Sequence, residues 1–325
     1  MEKKVKEKFL ISKIYGAYYE IYSPTLGKKR AVLRGKFRIG NSSERHPFVV
    51  GDKVIASPSS GDEWVIDEPQ ERKNQLIRKS GLNDTHVLCS NVDQIAILAS
   101  LKDPQTKEGF IDRALIASGS AKIPAIIVFT KSDLISDEEL PDMIAFYTNC
   151  GIKTILVSVI DSVSLENLRK SLEGKVTFFV GNSGVGKSTI LNKLLNGKFH
   201  ATAEISSSTK KGRHTTTNSS LVPVSENTFL IDSPGVKEWG LLHLTESEII
   251  SNFPGLHSFT DKCEELNCCT FGEDCKIQEA LSSDDFPDNR RKSLESILES
   301  LCAENSAQQK QDSYHKDRKK GKSKK

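Results

Sequence analysis

The chain has 325 residues, of which 37% are hydrophobic and 27% charged, as is typical of a soluble globular protein with two or three domains. Its apolar runs, such as residues 125–129, are too short to cross a bilayer, and the charged residues 1–8 lack the apolar core of a signal peptide. These features argue against a membrane-spanning or secreted protein, and we expect a cytoplasmic monomer with no membrane partner.

The formal net charge of +3 conceals an uneven distribution of charge. Residues 1–80 carry a net +7 and residues 307–325 a net +6, which leaves −10 on the rest of the chain. Two basic ends on an acidic body indicate a polyanionic partner such as a nucleic acid.

Residues 1–80 predict a small β-barrel. Short runs rich in β-branched and aromatic residues cover 10–22, 31–38, 49–55 and 63–66, a spacing typical of an oligonucleotide-binding (OB) barrel. Barrels of this type bind nucleic acid through basic and aromatic side chains. The candidates here are Arg34, Lys36, Phe37 and Arg38, although core packing explains Phe37 equally well.

Residues 81–245 differ in character and predict an α/β domain. Apolar runs at 94–99 and 125–129, typical of buried strands, flank a helical pattern at 109–117. Alternating strands and helices indicate a parallel, doubly wound sheet, in which ligands bind beyond the carboxyl ends of the strands.

The turn after the second of these strands resembles the guanine-specificity element of GTPases, which is usually Asn-Lys-x-Asp. It consists of Thr130, Lys131, Ser132 and Asp133. The Asp133 carboxylate can accept hydrogen bonds from both the ring N–H and the exocyclic amine of guanine, a pair of donors that adenine lacks. The Lys131 stem would lie along the base, and Thr130 replaces the usual Asn. The strand 154–158 ends at Ser158, which matches the last GTPase element, where backbone N–H groups contact the base.

A phosphate loop comes next. The apolar run 176–180 leads into a G-x-x-x-x-G-K-[ST] motif, and the pattern of an amphipathic helix follows over 190–195. Backbone N–H groups of such a loop surround the phosphates, while Lys187 would reach the outer phosphates and Ser188 would hold magnesium. The predicted phosphate-binding residues are Gly181, Asn182, Ser183, Gly184, Val185, Gly186, Lys187, Ser188 and Thr189.

Further magnesium-side elements lie downstream. Segment 211–217 contains consecutive threonines, among which we favour Thr216 as the residue that completes the magnesium shell. The strand 228–231 leads into Asp232, which would contact magnesium, and Gly235, whose N–H would meet the outer phosphate. Val236 follows where many GTPases have the Gln that orients the attacking water, so intrinsic hydrolysis should be slow.

These elements occur in a circularly permuted order. In ordinary GTPases the phosphate loop comes first, whereas here Asp133 and Ser158 precede Lys187. Permutation is tolerated where the termini of a domain lie close together, and we place the join near residues 161–168.

Residues 246–306 contain a cysteine cluster and helix-like sequence. The spacing Cys263-x4-Cys268-Cys269-x5-Cys275 is compatible with a structural zinc site in a small helical domain. Residues 307–325 are basic and nearly devoid of apolar side chains, and they predict a disordered tail able to dock on a phosphate backbone.

Taken together, these elements resemble the RsgA (YjeQ) family of small ribosomal subunit biogenesis GTPases. The resemblance covers residues 10–301 and includes the stretches 34–38, 50–54, 72–78 and 91–94. It implies an N-terminal OB barrel, a permuted GTPase domain and a C-terminal zinc-binding helical domain, with GTP, Mg²⁺ and Zn²⁺ as ligands. It also implies binding to the small ribosomal subunit and its rRNA late in maturation, with GTP hydrolysis coupled to release of an assembly factor.

The resemblance also bears on individual residues. The family places its proposed catalytic His at His214, which joins Lys187 and Thr216 as the predicted catalytic set. The family's zinc pattern, Cys-x4-Cys-x-His-x5-Cys, puts Thr270 at the His position, and Thr is not a suitable neutral zinc ligand. Cys269 is our substitute. His257 or no fourth ligand is the alternative.

A second functional class stays open. Val236 is also compatible with a GTP-regulated RNA-binding chaperone that has little intrinsic hydrolysis. A phosphate-loop enzyme acting on a small molecule is disfavoured by Asp133 and by the permutation.

Overall fold

The computed structural model describes residues 5–16, 18–35, 47–59, 61–79, 85–136, 142–197, 219–233, 239–260, 275–283 and 286–301. The side chains of residues 258 and 260 are not described.

The N-terminal strands close into the predicted small barrel, and the described residues give it five strands. These strands are β1 (Glu7–Ile14), β2 (Tyr19–Ser23), β3 (Gly27–Leu33), β4 (Lys53–Pro58) and β5 (Glu63–Pro69). They pair in the order β1-β2-β3-β5-β4, and β4 returns to pair with β1. Apolar side chains such as Phe9, Ile11, Ile21 and Ile66 fill the interior.

Two barrel segments differ from the sequence prediction. The predicted strand 49–55 begins only at Lys53, because Gly51 has a φ of +94° that breaks the extended backbone before it. The predicted strand 31–38 ends at Leu33 and begins earlier, at Gly27. Residues 36–46 lie outside the described part of the chain.

A hairpin separates the barrel from the α/β domain. Its strands are β6 (Gln75–Lys79) and β7 (Thr85–Ser90), which form an antiparallel two-stranded sheet of their own. Leu76 and Leu88 are buried in the same core as the helices of the α/β domain. Strand β6 coincides with part of the stretch 72–78 on which the family resemblance rests.

The α/β domain is built on six strands in the order β10-β9-β8-β11-β13-β12. The strands are β8 (Gln94–Ser100), β9 (Ala125–Thr130), β10 (Lys153–Val157), β11 (Val176–Gly181), β12 (Ser220–Ser225) and β13 (Thr228–Asp232). All are parallel except β12, which pairs antiparallel with β13. The predicted doubly wound sheet is therefore confirmed.

Helices cover both faces of this sheet. They are α1 (Glu108–Ser120), α2 (Asp142–Asn149), α3 (Ser162–Leu172) and α4 (Lys187–Leu194). Helices α3 and α4 share one core with the sheet, whereas α1 and α2 belong to the core on the opposite face. The stretch 161–168, where we place the permutation join, forms the start of α3. The Asp161 carboxylate caps this helix by accepting from the N–H groups of Val163 and Ser164.

The barrel continues the sheet. Strand β1 pairs with β12 at Lys13 and Ser220, so the pairing runs without interruption from β10 to the barrel. Tyr22 of β2 packs edge-on against Phe229 of β13, with ring centroids 5.7 Å apart.

Four C-terminal helices pack on α1. They are α5 (Glu246–Ser251), α6 (His257–Thr260), α7 (Lys276–Ser282) and α8 (residues 288–301). Their apolar side chains, including Ile249, Ile277 and Leu294, join the core that contains Ile111 and Leu115 of α1.

A buried ion pair joins α8 to α1. Arg290, which is 1% exposed, pairs with the fully buried Asp112 and with Glu108, and its guanidinium lies 4.9 Å from the Phe146 ring centroid. Burial raises the pKa of the Asp112 carboxyl, against the opposing effect of the Arg290 charge.

No helix within the described ranges is both long and apolar enough to cross a membrane.

Candidate nucleotide-binding site

Parallel register brings four predicted elements to one edge of the sheet. Thr130 pairs with Val157, Gly181 with Leu98, and Asp232 with Phe179. Because parallel strands end at the same edge, the guanine-recognition turn, Ser158, the phosphate loop and Asp232 all lie at the carboxyl side of the sheet. The permuted order of the motifs thus gives one contiguous site.

The phosphate loop has the backbone that anion binding requires. Gly184 and Gly186 have φ values of +83° and +90°, and Gly186 is the N-cap of α4. At Gly181 an added Cβ would come within 2.9 Å of the Leu98 carbonyl oxygen, so only glycine fits there. Ser188 and Thr189 are exposed at the first turn of α4.

Lys187 and Asp232 lie in direct contact at this edge. The Lys187 ammonium pairs with the Asp232 carboxylate and also donates to the Ser233 carbonyl oxygen. Their side chains are 11% and 17% exposed. Ser233 itself is fixed, because its hydroxyl donates to the Phe179 carbonyl oxygen at 2.9 Å. The cation that we predict to reach the outer phosphates therefore lies next to the carboxylate that we predict to bind magnesium.

The structure gives Thr130 a specific contact. Its side chain is buried, and its hydroxyl donates to the Val185 carbonyl oxygen at 2.6 Å. Thr130 thus links the guanine-recognition turn to the phosphate loop.

The residues predicted to contact guanine differ in exposure. Lys131 has a left-handed backbone with φ of +59°, and its ammonium donates to the Asp103 carbonyl oxygen. Asp133 lies in a short 3-10 helix, Ser132–Leu134, with its side chain exposed. Ser158 is buried, and its N–H donates to the Ser164 hydroxyl at 3.1 Å.

The loop after β8 belongs to the site and is absent from the sequence prediction. In addition to the Asp103–Lys131 contact, the Pro104 ring lies 3.2 Å from the position of a Cβ placed on Gly184. Thr106 closes the loop by accepting from the Ser100 N–H at 2.8 Å. The available signal was the Asp-Pro pair directly after a buried strand, at the edge where ligands bind.

The described residues fit GTP and magnesium. The Asn182 Oδ1 atom is buried and has no hydrogen-bond partner in the described part of the chain. Because phosphate oxygens are also acceptors, this oxygen would be completed by a donor group, a water molecule or a cation rather than by the phosphates, whose partners would be the backbone N–H groups of the loop and the Lys187 ammonium. Ser188 and Asp232 would hold magnesium, which when bound would neutralise phosphate charge.

Several predicted site residues lie outside the described ranges. They are His214, Thr216, Gly235, Cys263, Cys268 and Cys269. Cys275 is described and stands half-buried at the N-cap of α7, while His257 is exposed at the start of α6. No group of three metal-ligating side chains occurs among the residues that the structure describes. The zinc site therefore stays a prediction.

Comparison with known proteins identifies the family. A family model described as RsgA GTPase matches residues 69–242, which is more than half of the chain. The chain belongs to the RsgA GTPase family. Its activity is accordingly the hydrolysis of GTP, and the family implies Mg²⁺ as the metal.

Named relatives are similar to this chain over nearly its whole length. A protein named small ribosomal subunit biogenesis GTPase RsgA from Bacteroides fragilis strain YCH46 is 33% identical over 298 residues, covering 90% of this chain and 96% of the relative. A protein of the same name from Flavobacterium johnsoniae is also 33% identical, covering 89% and 92%.

Solved structures show the same fold. YjeQ from Thermotoga maritima superposes with a TM-score of 0.71 at 23% identity, covering 92% of this chain and 99% of that one. YloQ, described as a circularly permuted GTPase, gives 0.68 at 22% identity, covering 92% and 96%. The predicted permuted GTPase fold with an N-terminal barrel is therefore confirmed.

Proposed function

We propose that this GTPase acts in the cytoplasm, as a monomer, in the late maturation of the small ribosomal subunit. It binds the subunit and its rRNA and couples GTP hydrolysis to the release of an assembly factor. Support comes from the names of relatives that are 33% identical over about nine-tenths of the chain. The two basic ends of the sequence provide the charge that an RNA partner needs.

One surface of the barrel carries the RNA-binding part of this proposal. At the β1–β2 turn the rings of Tyr15 and Tyr18 stack, with centroids 4.5 Å apart and an interplanar angle of 14°. Lys13 lies 5.2 Å from the Tyr15 centroid and Arg30 4.4 Å from that of Tyr18. Aromatic rings flanked by cations provide both stacking for bases and charge for phosphates. We name Lys13, Tyr15, Tyr18 and Arg30 the tyrosine patch.

The tyrosine patch replaces Arg34 as our leading candidate. Arg34 forms an ion pair with Asp67, whose side chain is only 4% exposed, so a buried carboxylate matches its charge. The Arg30 guanidinium has a weaker partner, because Glu63 lies 3.6 Å away and its side chain is 36% exposed. Lys36, Phe37 and Arg38 lie outside the described residues and stay predictions.

The site also supports a catalytic proposal. Lys187 would stabilise negative charge on the outer phosphates, and Asp232 and Ser188 would position magnesium. Val236 cannot hydrogen-bond to a water molecule, so turnover depends on a group supplied from elsewhere. We assign that role to His214, with Thr216 completing the magnesium shell.

A structural zinc ion is the third part of the proposal. Cys263, Cys268, Cys269 and Cys275 would hold it as thiolates, and the position of Cys275 at the N-cap of α7 would tie the metal to the helices packed on α1. In this arrangement zinc stabilises the C-terminal region and takes no part in hydrolysis.

Multiple-turnover GTP hydrolysis with and without purified small subunits tests the function. We expect the subunit to accelerate turnover. Replacement of both Tyr15 and Tyr18 by Ala should weaken subunit binding by roughly 5- to 100-fold, since stacking contributes about 1–3 kcal/mol per base. Replacement of both by Phe keeps the rings and should retain binding. Subunit binding without any acceleration would favour the alternative, a GTP-regulated RNA chaperone, which the apolar Val236 supports.

A further inference from the structure

The β6–β7 hairpin is bonded to the barrel at one end and to the segment that follows Asp232 at the other. These contacts lie outside the nucleotide-binding site. They involve the stretches 50–54, 72–78 and 91–94, none of which takes part in the chemistry described above.

At the barrel end, one buried carboxylate joins three segments. Asp52, 3% exposed, accepts from Arg72 Nε at 2.7 Å and from Arg72 Nη2 at 2.8 Å. The Ser90 hydroxyl at the end of β7 donates to the same carboxylate at 2.6 Å. Arg72 also donates to Gln75, the first residue of β6, at 2.9 Å. This bidentate, partly buried pair fixes both strands of the hairpin to the barrel.

Backbone contact tightens the same junction. A Cβ placed on Gly51 would lie 2.1 Å from the Ser90 carbonyl oxygen, so the barrel loop and β7 touch directly. Asn91 donates to the Gly51 carbonyl oxygen at 2.9 Å and accepts from the Lys73 N–H at 2.8 Å. The carbonyl oxygen of Asp52 in turn accepts from Ile11 of β1 at 2.8 Å. A displacement of the hairpin would therefore be transmitted to β1.

At the other end, β6 pairs with the segment beyond the magnesium carboxylate. The Lys79 N–H donates to the Gly240 carbonyl oxygen at 3.1 Å, and the Leu242 N–H donates to the Lys79 carbonyl oxygen at 3.2 Å. Trp239 and Leu241 on this segment are 1% and 3% exposed and share a core with the hairpin residues Leu76 and Leu88. Trp239 follows Asp232 by seven residues.

We propose that the β6–β7 hairpin couples the segment that follows Asp232 in the chain to the barrel, so that a ligand on the barrel changes the rate of GTP hydrolysis. The described contacts run from Trp239 and Gly240, seven and eight residues after Asp232 in the chain, to Lys79, along the hairpin, and through Arg72 and Ser90 to Asp52. Contiguous packed and hydrogen-bonded elements are candidates for carrying coupling between distant sites, and the experiments below measure whether this one does. Coupling is reciprocal, so a ligand on the barrel changes nucleotide affinity by the same factor, typically about 5- to 150-fold. That the barrel ligand is RNA rests on the proposed function.

A pair of substitutions at Lys79 tests the link. Lys79→Pro removes the N–H that bonds to Gly240, whereas Lys79→Ala removes only the side chain and keeps this N–H. Hydrogen exchange of the full-length protein is compared between the GDP state and a non-hydrolysable GTP-analogue state. For the wild type and for Lys79→Ala we expect exchange to differ between the two states in three regions: residues 239–244, the hairpin and the loop 47–52.

In Lys79→Pro, the difference in hydrogen exchange between the GDP state and the GTP-analogue state should persist in the phosphate loop and disappear in the loop 47–52. If the difference in the loop 47–52 is the same in Lys79→Pro as in Lys79→Ala, the proposal is wrong. Absence of any state difference in that loop of the wild type would overturn it equally.

A second variant tests the barrel end without changing the hairpin backbone. Arg72→Gln should preserve intrinsic turnover and KM for GTP while reducing the subunit-induced acceleration about 5-fold or more. Lys6→Gln, which removes another barrel cation from an exposed ion pair, is the matched control and should retain the acceleration. Equal acceleration in both variants contradicts the proposal. Failure of the subunit to accelerate the wild type would instead count against the proposed function, and the exchange result would still decide the coupling.

Discussion

The Thr130 hydroxyl donates to the Val185 carbonyl oxygen at 2.6 Å and ties the guanine-recognition turn to the phosphate loop. The two elements lie 55 residues apart in the chain, and the contact is buried. The turn predicted to recognise the base and the loop predicted to bind the phosphates are thereby held in one fixed relationship.

Replacement of Thr130 by Val should weaken binding of both GTP and GDP. The substitution leaves the buried Val185 carbonyl oxygen without its donor, at a cost of about 1–3 kcal/mol. If this cost displaces the phosphate loop from its binding geometry, nucleotide affinity falls by roughly 5- to 100-fold. Calorimetric titration with each nucleotide measures the effect. Thr130→Ser keeps the hydroxyl and is the control, and equal affinities for the two variants would show that the contact does not position the loop.

Replacement of Asp133 by Asn should change base specificity. Guanine offers two donors to the carboxylate, whereas xanthine offers one donor and one acceptor, which match the carbonyl and the amine of Asn. We expect GTP affinity to fall at least about 10-fold, since hydrogen bonds to charged groups contribute about 1.5–3 kcal/mol. Xanthosine triphosphate should bind better to the variant than to the wild type. A GTP affinity that survives the substitution would place the base elsewhere.

Replacement of His214 by Ala should leave GTP affinity intact and reduce subunit-stimulated turnover by about 10²- to 10⁴-fold, the usual range for loss of a general acid or base. Single-turnover kinetics with saturating subunit separates this loss from weaker binding. The control is His315→Ala in the basic tail. Stimulated turnover that is unchanged in His214→Ala would remove this residue from the mechanism.

Zinc content should depend on Cys269. Metal analysis of the wild type is expected to give one zinc per chain, and Cys269→Ala should lose affinity for it because a four-coordinate thiolate site then lacks one ligand. Cys302→Ala, outside the cluster, should retain the metal. Full zinc stoichiometry and affinity in Cys269→Ala would exclude this residue and favour His257 or a three-ligand site.

Replacement of Arg290 by Met should destabilise the protein by about 3–5 kcal/mol, because it leaves the buried Asp112 carboxylate without its cationic partner, with only the hydroxyls of Tyr147 and Ser293 donating to it. Thermal unfolding measures the loss. The double variant Asp112→Asn, Arg290→Met should recover part of it, since no buried charge remains. If the double variant is no more stable than Arg290→Met, the ion pair itself is not the source of the effect.

Some of these features could be read from the sequence because their signals are local. The run 94–100 is apolar enough to predict a buried strand. The phosphate loop has the residues that its motif requires, with a strand before the loop and a helix after it. The closed barrel followed from the spacing of short β-rich runs.

Other features depend on partners far along the chain. Arg290 has the sequence context of an exposed helical residue, and its burial follows only from Asp112, 178 residues away. Strand β12 contains Pro223, a residue that argues against a central strand. This segment is a strand because it pairs with β13. The bond from Thr130 to Val185 likewise has no local signature, because any turn Thr could instead face solvent.

Among the described residues, Lys13 and Ser220 form the one register pair between β1 and β12. This pairing has a consequence for the solubility of a fragment that lacks the barrel. Strand β12 would otherwise be the free border of the nucleotide-binding sheet, with backbone groups open to pairing with another molecule. Strand β1 of the closed barrel pairs with the Ser220 end of this border, and the N-terminal domain thereby covers that end against self-association. A fragment that begins after the barrel would therefore expose an unpaired strand edge. We expect this fragment to aggregate more readily than the whole protein while it still binds GTP.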